Sequence, residues 1–245
     1  MQRTFFITGT DTGVGKTVLT ALLARFLTDQ GRKVAAFKPV CSGGRDDARA
    51  LHAALEGALS LDEINPWHFR AAIAPSLAAR REHQSISLAQ VLGHIRARQN
   101  RFEVTLVEGA GGLLSPLGDG RGGRRPPEYP ATLTERRYQN NFDSRDLILA
   151  LRAAPIIVAP NQLGVVNHLL LTLEALPKRC RAKAKIVLMT PAKPDSATAS
   201  NARLLGESFP LDNVFTLPRL DTRQPPAGAR RNPRIKRVLK ALIQP

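Results

Sequence analysis

Acidic side chains, sulfur and aromatic rings are what this 245-residue chain has least of. Its only cysteines are Cys41 and Cys180, with neither paired spacing nor a histidine cluster beside them. That argues against a disulfide framework or a cysteine-based zinc site and for a reducing compartment. No run approaches the roughly 18 apolar residues of a membrane-spanning helix, so no membrane partner is expected. The first apolar run opens at Thr4, too early for a secretory leader ahead of it, so the expected location is cytoplasmic. Aromatics make up only 5% and do not interleave with the basic clusters, as stacking on single-stranded nucleic acid requires. Asp and Glu total 20 against 36 Lys and Arg, a formal net charge of +16. The excess gathers between Lys178 and Lys185 and in the segment 219–245. A solvated basic surface is favoured over a nucleic-acid site, although charge of this size keeps polyanions in view.

What is present is a core and a phosphate loop. Hydrophobic residues reach 43%, enough for one sizeable α/β domain over the whole chain. Residues 9 to 17 read Gly-Thr-Asp-Thr-Gly-Val-Gly-Lys-Thr, directly after the apolar run 4–8. In such a turn the backbone N–H groups point inward at phosphate oxygens, and the following helix adds its positive N-terminal dipole. Lys16 supplies a mobile charge for the β- and γ-phosphates, and the Thr17 hydroxyl can ligate Mg²⁺. The spacing is a variant: five residues rather than four separate Gly9 from Gly15.

Helical periodicity is read over 17–30, 46–59, 88–98, 146–151, 165–176, 200–209 and 233–243. Short apolar runs at 33–37, 102–107, 155–159, 185–189 and 214–217 read as strands. Alternation of this kind predicts a single-domain α/β fold of the P-loop NTPase type, a mostly parallel sheet with helices on both faces. Ligands of such sheets bind beyond the carboxyl ends of the strands, where the chain's chemical motifs all fall. Lys38, before Pro39, places a second ammonium where charge develops on a transferred phosphoryl group. Glu108, heading Glu-Gly-Ala-Gly-Gly, is a carboxylate placed to hold a metal. Asp46-Asp47 reads equally as a helix N-cap or as a Mg²⁺ ligand. Cys41 has no neighbouring base to activate it and reads as a small filler.

The segments 9–17, Lys38-Pro-Val-Cys-Ser-Gly43, Val107-Glu-Gly-Ala-Gly-Gly112 and Asn161-Gln-Leu-Gly-Val-Val-Asn-His168 follow in order and together resemble the dethiobiotin synthetases. Asn65-Pro66-Trp67 and 74–79 are also similar to that family's middle region. The resemblance implies an ATP-dependent cyclo-ligase that converts 7,8-diaminopelargonic acid and CO₂ (or bicarbonate) to dethiobiotin through a carbamate and its mixed anhydride with phosphate. It implies catalytic roles for Lys16, Lys38, Thr12 and Ser42, with Mg²⁺ held by Thr17, Asp47 and Glu108. Nucleotide contacts would fall on Gly13, Val14, Gly15, Lys16, Thr17, Val18, Glu108, Gly109, Ala110, Gly111, Met189 and Pro218. It further implies a homodimer in which the substrate carboxylate meets a helix N-terminus of the partner subunit, here Leu163, Gly164, Val165 and Asn167, with Ser42 also on the substrate.

Two features depart from that pattern. Residues 121–141 read as a surface insertion, and Met189 stands where the family has an Asn that reads the base. The competing reading is a partitioning-type ATPase binding DNA through its basic surface. Lys38→Ala is expected to lose kcat with the fold intact, which turnover and melting of the variant would check.

Overall fold

The computed structural model describes residues 2–119, 141–219 and 232–244. Its centre is strand β1 (Arg3–Gly9), whose Phe5, Phe6 and Ile7 are buried on both faces. The phosphate loop follows, then α1 (Lys16–Thr28), which the left-handed Gly31 (φ 74°) leads into β2 (Val34–Phe37). A three-residue strand β3 (Val40–Ser42) precedes α2 (Asp46–Ala54), α3 (Leu61–Ile64) and β4 (Trp67–Phe69). Helices α4 (Pro75–Arg81) and α5 (Leu88–Gln99) lead into β5 (Val104–Glu108). The ribbon of β6 (Gly118–Asp119) and β7 (Asn141–Phe142) is followed by α6 (Ser144–Ala150) and β8 (Ala154–Pro160). Then come α7 (Val165–Ala175), α8 (Lys178–Arg181), β9 (Lys185–Met189), α9 (Asn201–Gly206), β10 (Val214–Leu217) and α10 (Pro233–Leu242).

Six strands form one sheet in the order β10-β9-β8-β1-β5-β2, and every pair in it is parallel. The expected class is therefore the observed one. Strands reached after β1 go to opposite sides of it, β2 and β5 one way and β8 the other, so the carboxyl end of β1 is the point where connections diverge. A crevice opens there in sheets of this kind. Two small ribbons lie outside the sheet, parallel β3-β4 and antiparallel β6-β7.

Local chemistry explains where the structure differs from the periodicity. The helix expected over 46–59 stops at Ala54, because Glu56 (φ 53°) and Gly57 (φ 83°) are left-handed. The helix expected over 200–209 ends at Gly206, where a Cβ would fall 2.4 Å from Leu211. Strands β3 and β4 are too short to carry a period. Helix α3 does have a readable start, the Ser60/Glu63 capping box, which periodicity alone passes over. Of the expected insertion 121–141 only Asn141 is described, paired with Asp119 in the β6-β7 ribbon; the rest lies outside the described residues.

Helix α10 gives the described part of the basic C-terminal segment its form. Ile235, Leu239 and Leu242 are buried, while Arg234, Lys236, Arg237 and Lys240 face outward. Its last carbonyls have partners: Lys185 Nζ donates to Ala241 at 2.8 Å, Leu242 at 3.3 Å and Gln244 at 2.8 Å, and Arg3 donates to Ile243. A cation among helix C-terminal carbonyls is favourable in itself. No helix among the described residues is long and apolar enough to cross a membrane.

Lys185→Met is accordingly expected to lower unfolding stability by about 1–3 kcal/mol and to speed amide exchange across 233–244. Unchanged exchange there would mean that the apolar face alone holds the helix.

Candidate active site

The phosphate loop owes its path to two left-handed glycines, Gly13 (φ 73°) and Gly15 (φ 99°). Helix α1 begins at Lys16 with no side chain capping it, so its N-terminal N–H groups are left for an anion. Lys16 Nζ lies back on the loop, donating to the Asp11 carbonyl at 2.7 Å. Burial, with Lys38 nearby, lowers its pKa to about 8.

Beside the loop sits a buried ionic cluster. Lys38, only 3% exposed, donates from Nζ to Glu108 Oε1 at 2.7 Å, to Asp47 Oδ2 at 2.8 Å and to the Gly109 carbonyl at 3.1 Å. Burial alone would lower its pKa, but Glu108 and Asp47 outweigh it and hold the ammonium protonated well above the ordinary lysine range. For Asp47, burial works to raise the pKa, and Lys38 draws it below the usual carboxylate range. Thr17 donates its hydroxyl to Glu108 Oε1 at 2.7 Å. Glu108 is 1% exposed, and among the described residues its Oε2 has no hydrogen-bond partner. An orphaned buried carboxylate oxygen, flanked by a hydroxyl and a second carboxylate, fits the hard-oxygen preference of Mg²⁺.

A cleft of about 720 Å³ opens over this cluster. Thr12, Gly13, Gly15, Lys16, Thr17, Val18, Lys38, Ser42, Asp47, Ala110 and Gly111 all line it. Val14 is buried beneath the loop, and Glu108 lies behind Lys38. At Gly109 a Cβ would meet Ser144 Oγ at 2.9 Å and Phe6 at 3.1 Å, so only glycine lets that backbone pass. Met189 ends β9 with its side chain over the loop; its Cε would lie 3.1 Å from a Cβ at Gly15. Pro218 follows Leu217, the residue paired with Met189. Leu163, Gly164, Val165 and Asn167 do not line the cleft; they sit at the start of α7, where Asp195 Oδ2 already accepts the Leu163 N–H at 2.7 Å.

Sequence reasoning gave no role to one part of the lining, the apolar stretch Ala72-Ile73-Ala74-Pro75. Its one legible signal is Pro75, a helix-start residue. The Ser42 hydroxyl donates to the Ile73 carbonyl at 2.6 Å, so what Ser42 presents to the cleft is an acceptor.

A family model described as an AAA domain matches residues 3–121. The chain is 40% identical over 191 residues to an ATP-dependent dethiobiotin synthetase of Anaeromyxobacter sp. (strain Fw109-5), covering 76% of each chain. It is 37% identical over 245 residues to that of Anaeromyxobacter dehalogenans (strain 2CP-C), covering 98% of this chain and 96% of the relative. To that of Thermodesulfovibrio yellowstonii it is 33% identical over 230 residues, with 90% of each chain covered. Among solved structures it is similar to pNOB8 ParA bound to nonspecific DNA (TM-score 0.56, 13% identity, 99% and 98% covered). The MinC:MinD complex of Aquifex aeolicus gives TM-score 0.54 at 13% identity, with 98% and 94% covered. At that identity the two structures show a shared fold and nothing more.

Burial changes what truncation of Lys38 should do. Lys38→Ala strands Glu108 without its partner and is expected to cost about 3–5 kcal/mol of stability, contrary to an intact fold. Lys38→Gln can still donate to Glu108 and should cost less; urea unfolding of both variants compares them. The Lys16 pKa gives a pH dependence. Phosphate binding needs the protonated amine, so above pH 8 binding must take up a proton. The apparent Kd for a nucleoside triphosphate should then rise about tenfold per pH unit. Titration calorimetry in buffers of different ionisation enthalpy reads that uptake, and a Kd flat from pH 8 to 9.5 would contradict it.

Proposed function

Because the chain belongs to the ATP-dependent dethiobiotin synthetase family, we propose that this cleft is where it joins 7,8-diaminopelargonate and CO₂ into dethiobiotin at the expense of ATP. One substrate amine adds to CO₂, forming a C–N bond and, on losing a proton, a carbamate. A carbamate oxygen takes the γ-phosphoryl group as the bond to the ADP oxygen breaks. The second amine then attacks the carbamoyl carbon of the mixed anhydride, expelling phosphate and closing the ureido ring. Nothing here requires a protein nucleophile. Positioning and charge do the catalysis.

The residue roles are part of the proposal. The phosphate loop and the uncapped start of α1 would hold the triphosphate, with Thr12 facing the γ-phosphoryl group. Lys16 and Lys38 would neutralise the phosphates and the anionic carbamate. Ser42, an acceptor toward the cleft, suits a substrate amine, and the wall 72–75 suits the alkyl chain. Thr17, Asp47 and Glu108 would hold Mg²⁺, which supplies positive charge against the developing phosphate charge. The observation that carries the reading is the paired, buried Lys38 aimed into the same cleft as the phosphate loop.

A homodimer is also proposed. Leu163 (81% exposed), Leu171 (62%) and Leu114 (41%) leave apolar surface on and beside α7, suited to a second copy. That copy would bring its own α7 N-terminus to the substrate carboxylate. A sedimentation mass of one chain with both substrates present would remove this part. The whole chain is proposed as one domain, with the segment 121–141 inserted in it. Met189 offers a base a stacking surface and no edge contact, so discrimination between bases should be weak.

The decisive experiment is mass-spectrometric detection of dethiobiotin from purified protein with 7,8-diaminopelargonate, bicarbonate, Mg²⁺ and each of ATP, CTP and GTP. Product that requires nucleotide is expected, with ATP favoured over the other two by less than about tenfold. Absence of product with every nucleotide, alongside DNA-stimulated ATP hydrolysis, would instead support the basic-surface ATPase.

A further inference from the structure

Asn65 has no role in the reaction just described, yet it is fully buried, 0% exposed, directly behind Lys38. Its Nδ2 donates to the Lys38 carbonyl at 2.7 Å and more weakly to the Trp67 carbonyl at 3.4 Å. Its Oδ1 accepts from Arg45 Nε at 3.2 Å and lies 3.2 Å from Cys41 Sγ. The other end of the Arg45 guanidinium donates to the carbonyls of Leu61 and Asn65 and to the Asp62 carboxylate, which keeps the amide oriented. Backbone bonds run on both sides of this contact: Lys38 N–H to the Ile64 carbonyl at 3.0 Å, and Trp67 N–H to the Pro39 carbonyl at 3.1 Å.

The requirement on this side chain is narrow. It must donate toward Lys38 and accept from Arg45 at once, in a space closed to bulk solvent. Of the side chains its size, only a carboxamide does both; a carboxylate has no donor, and leucine has neither group. β2 ends at Phe37, so sheet pairing no longer fixes the main chain at Lys38. The Asn65 amide takes over that task one residue later.

From this geometry we infer that Asn65 is a positioning residue for the reaction. It fixes the main chain of Lys38, so that the ammonium meets the transferred phosphoryl group, without touching substrate itself. The inference rests on the role given to Lys38 above. Displacing a reacting group by about 1 Å can cost on the order of a hundredfold in rate.

The test uses Asn65→Asp, which keeps the shape and the oxygen facing Arg45 and loses the donor to Lys38, with Asn65→Ala as the second variant. Both should lower kcat for dethiobiotin by about tenfold or more, with the ATP Kd, measured separately, changed less than about threefold. Ile95→Ala, a core change in α5, serves as a stability control and should keep wild-type kcat after a comparable fall in Tm. On a Lys38→Gln background, adding Asn65→Asp should change the residual rate by less than about twofold, because its effect passes through Lys38. Wild-type kcat in either Asn65 variant would overturn the inference. So would an equal loss in Ile95→Ala, or a full additional loss on the Lys38→Gln background. Normal turnover in Lys38→Gln alone would instead overturn the reading of Lys38, and this inference with it.

Discussion

Lys38 and Glu108 form the contact around which the rest of the cleft is arranged. They meet because β2 and β5 are parallel neighbours in a register that pairs Phe37 with Val107. The next residues along the chain are the lysine, just past β2, and the glutamate, and their side chains join at 2.7 Å with almost no exposure. A buried ion pair is a doubtful source of stability, since desolvation offsets most of the Coulomb attraction. Its value here lies in placement. In the proposed reaction, an ammonium held by two carboxylates and a carbonyl has little freedom left to lose when a phosphoryl group arrives.

The other parts of the cleft are fixed relative to that pair. Glu108 also pairs in register with Ile7 of β1, two residues ahead of the phosphate loop. It accepts from Thr17 at the start of α1 as well, so the loop, the helix and the β5 end share one carboxylate. Glycines are required where these backbones pass closely. Gly9 could not carry a Cβ without striking Val14 at 2.7 Å, and Gly109 faces Ser144 and Phe6. The polar chemistry is thus compressed onto the carboxyl ends of three adjacent strands. The apolar stretch 72–75 lines the same cleft.

Among the described basic residues, Lys16 and Lys38 alone line the cleft. The basic residues of α10 sit on its outward face, and its apolar face is what joins it to the fold. Charge summed over a chain says little about where it acts. Similarity to the ParA and MinD structures, at 13% identity, shows a shared fold alone.

The sequence by itself determined the phosphate loop, the parallel α/β class and the strand-end positions of Lys38 and Glu108. Each of these rests on local patterns: glycines spaced for a turn, and apolar runs of strand length next to helical periods. It also placed α10 and the ends of most helices to within a few residues. It did not reveal that Lys38 and Glu108, 70 residues apart, would be paired and buried. Nor did it reveal that Asp47 would stand in the first turn of α2, with Arg45 and not an aspartate at the N-cap, and reach the same ammonium. The strands β3 and β4, the wall at 72–75 and the environment of Asn65 were equally out of reach. All of them depend on pairings between segments tens of residues apart, and such pairings leave no period in either segment. A residue's type can announce what chemistry it is able to do. Only the folded chain decides what stands next to it, because burial and partners, rather than identity, set its charge state and its aim.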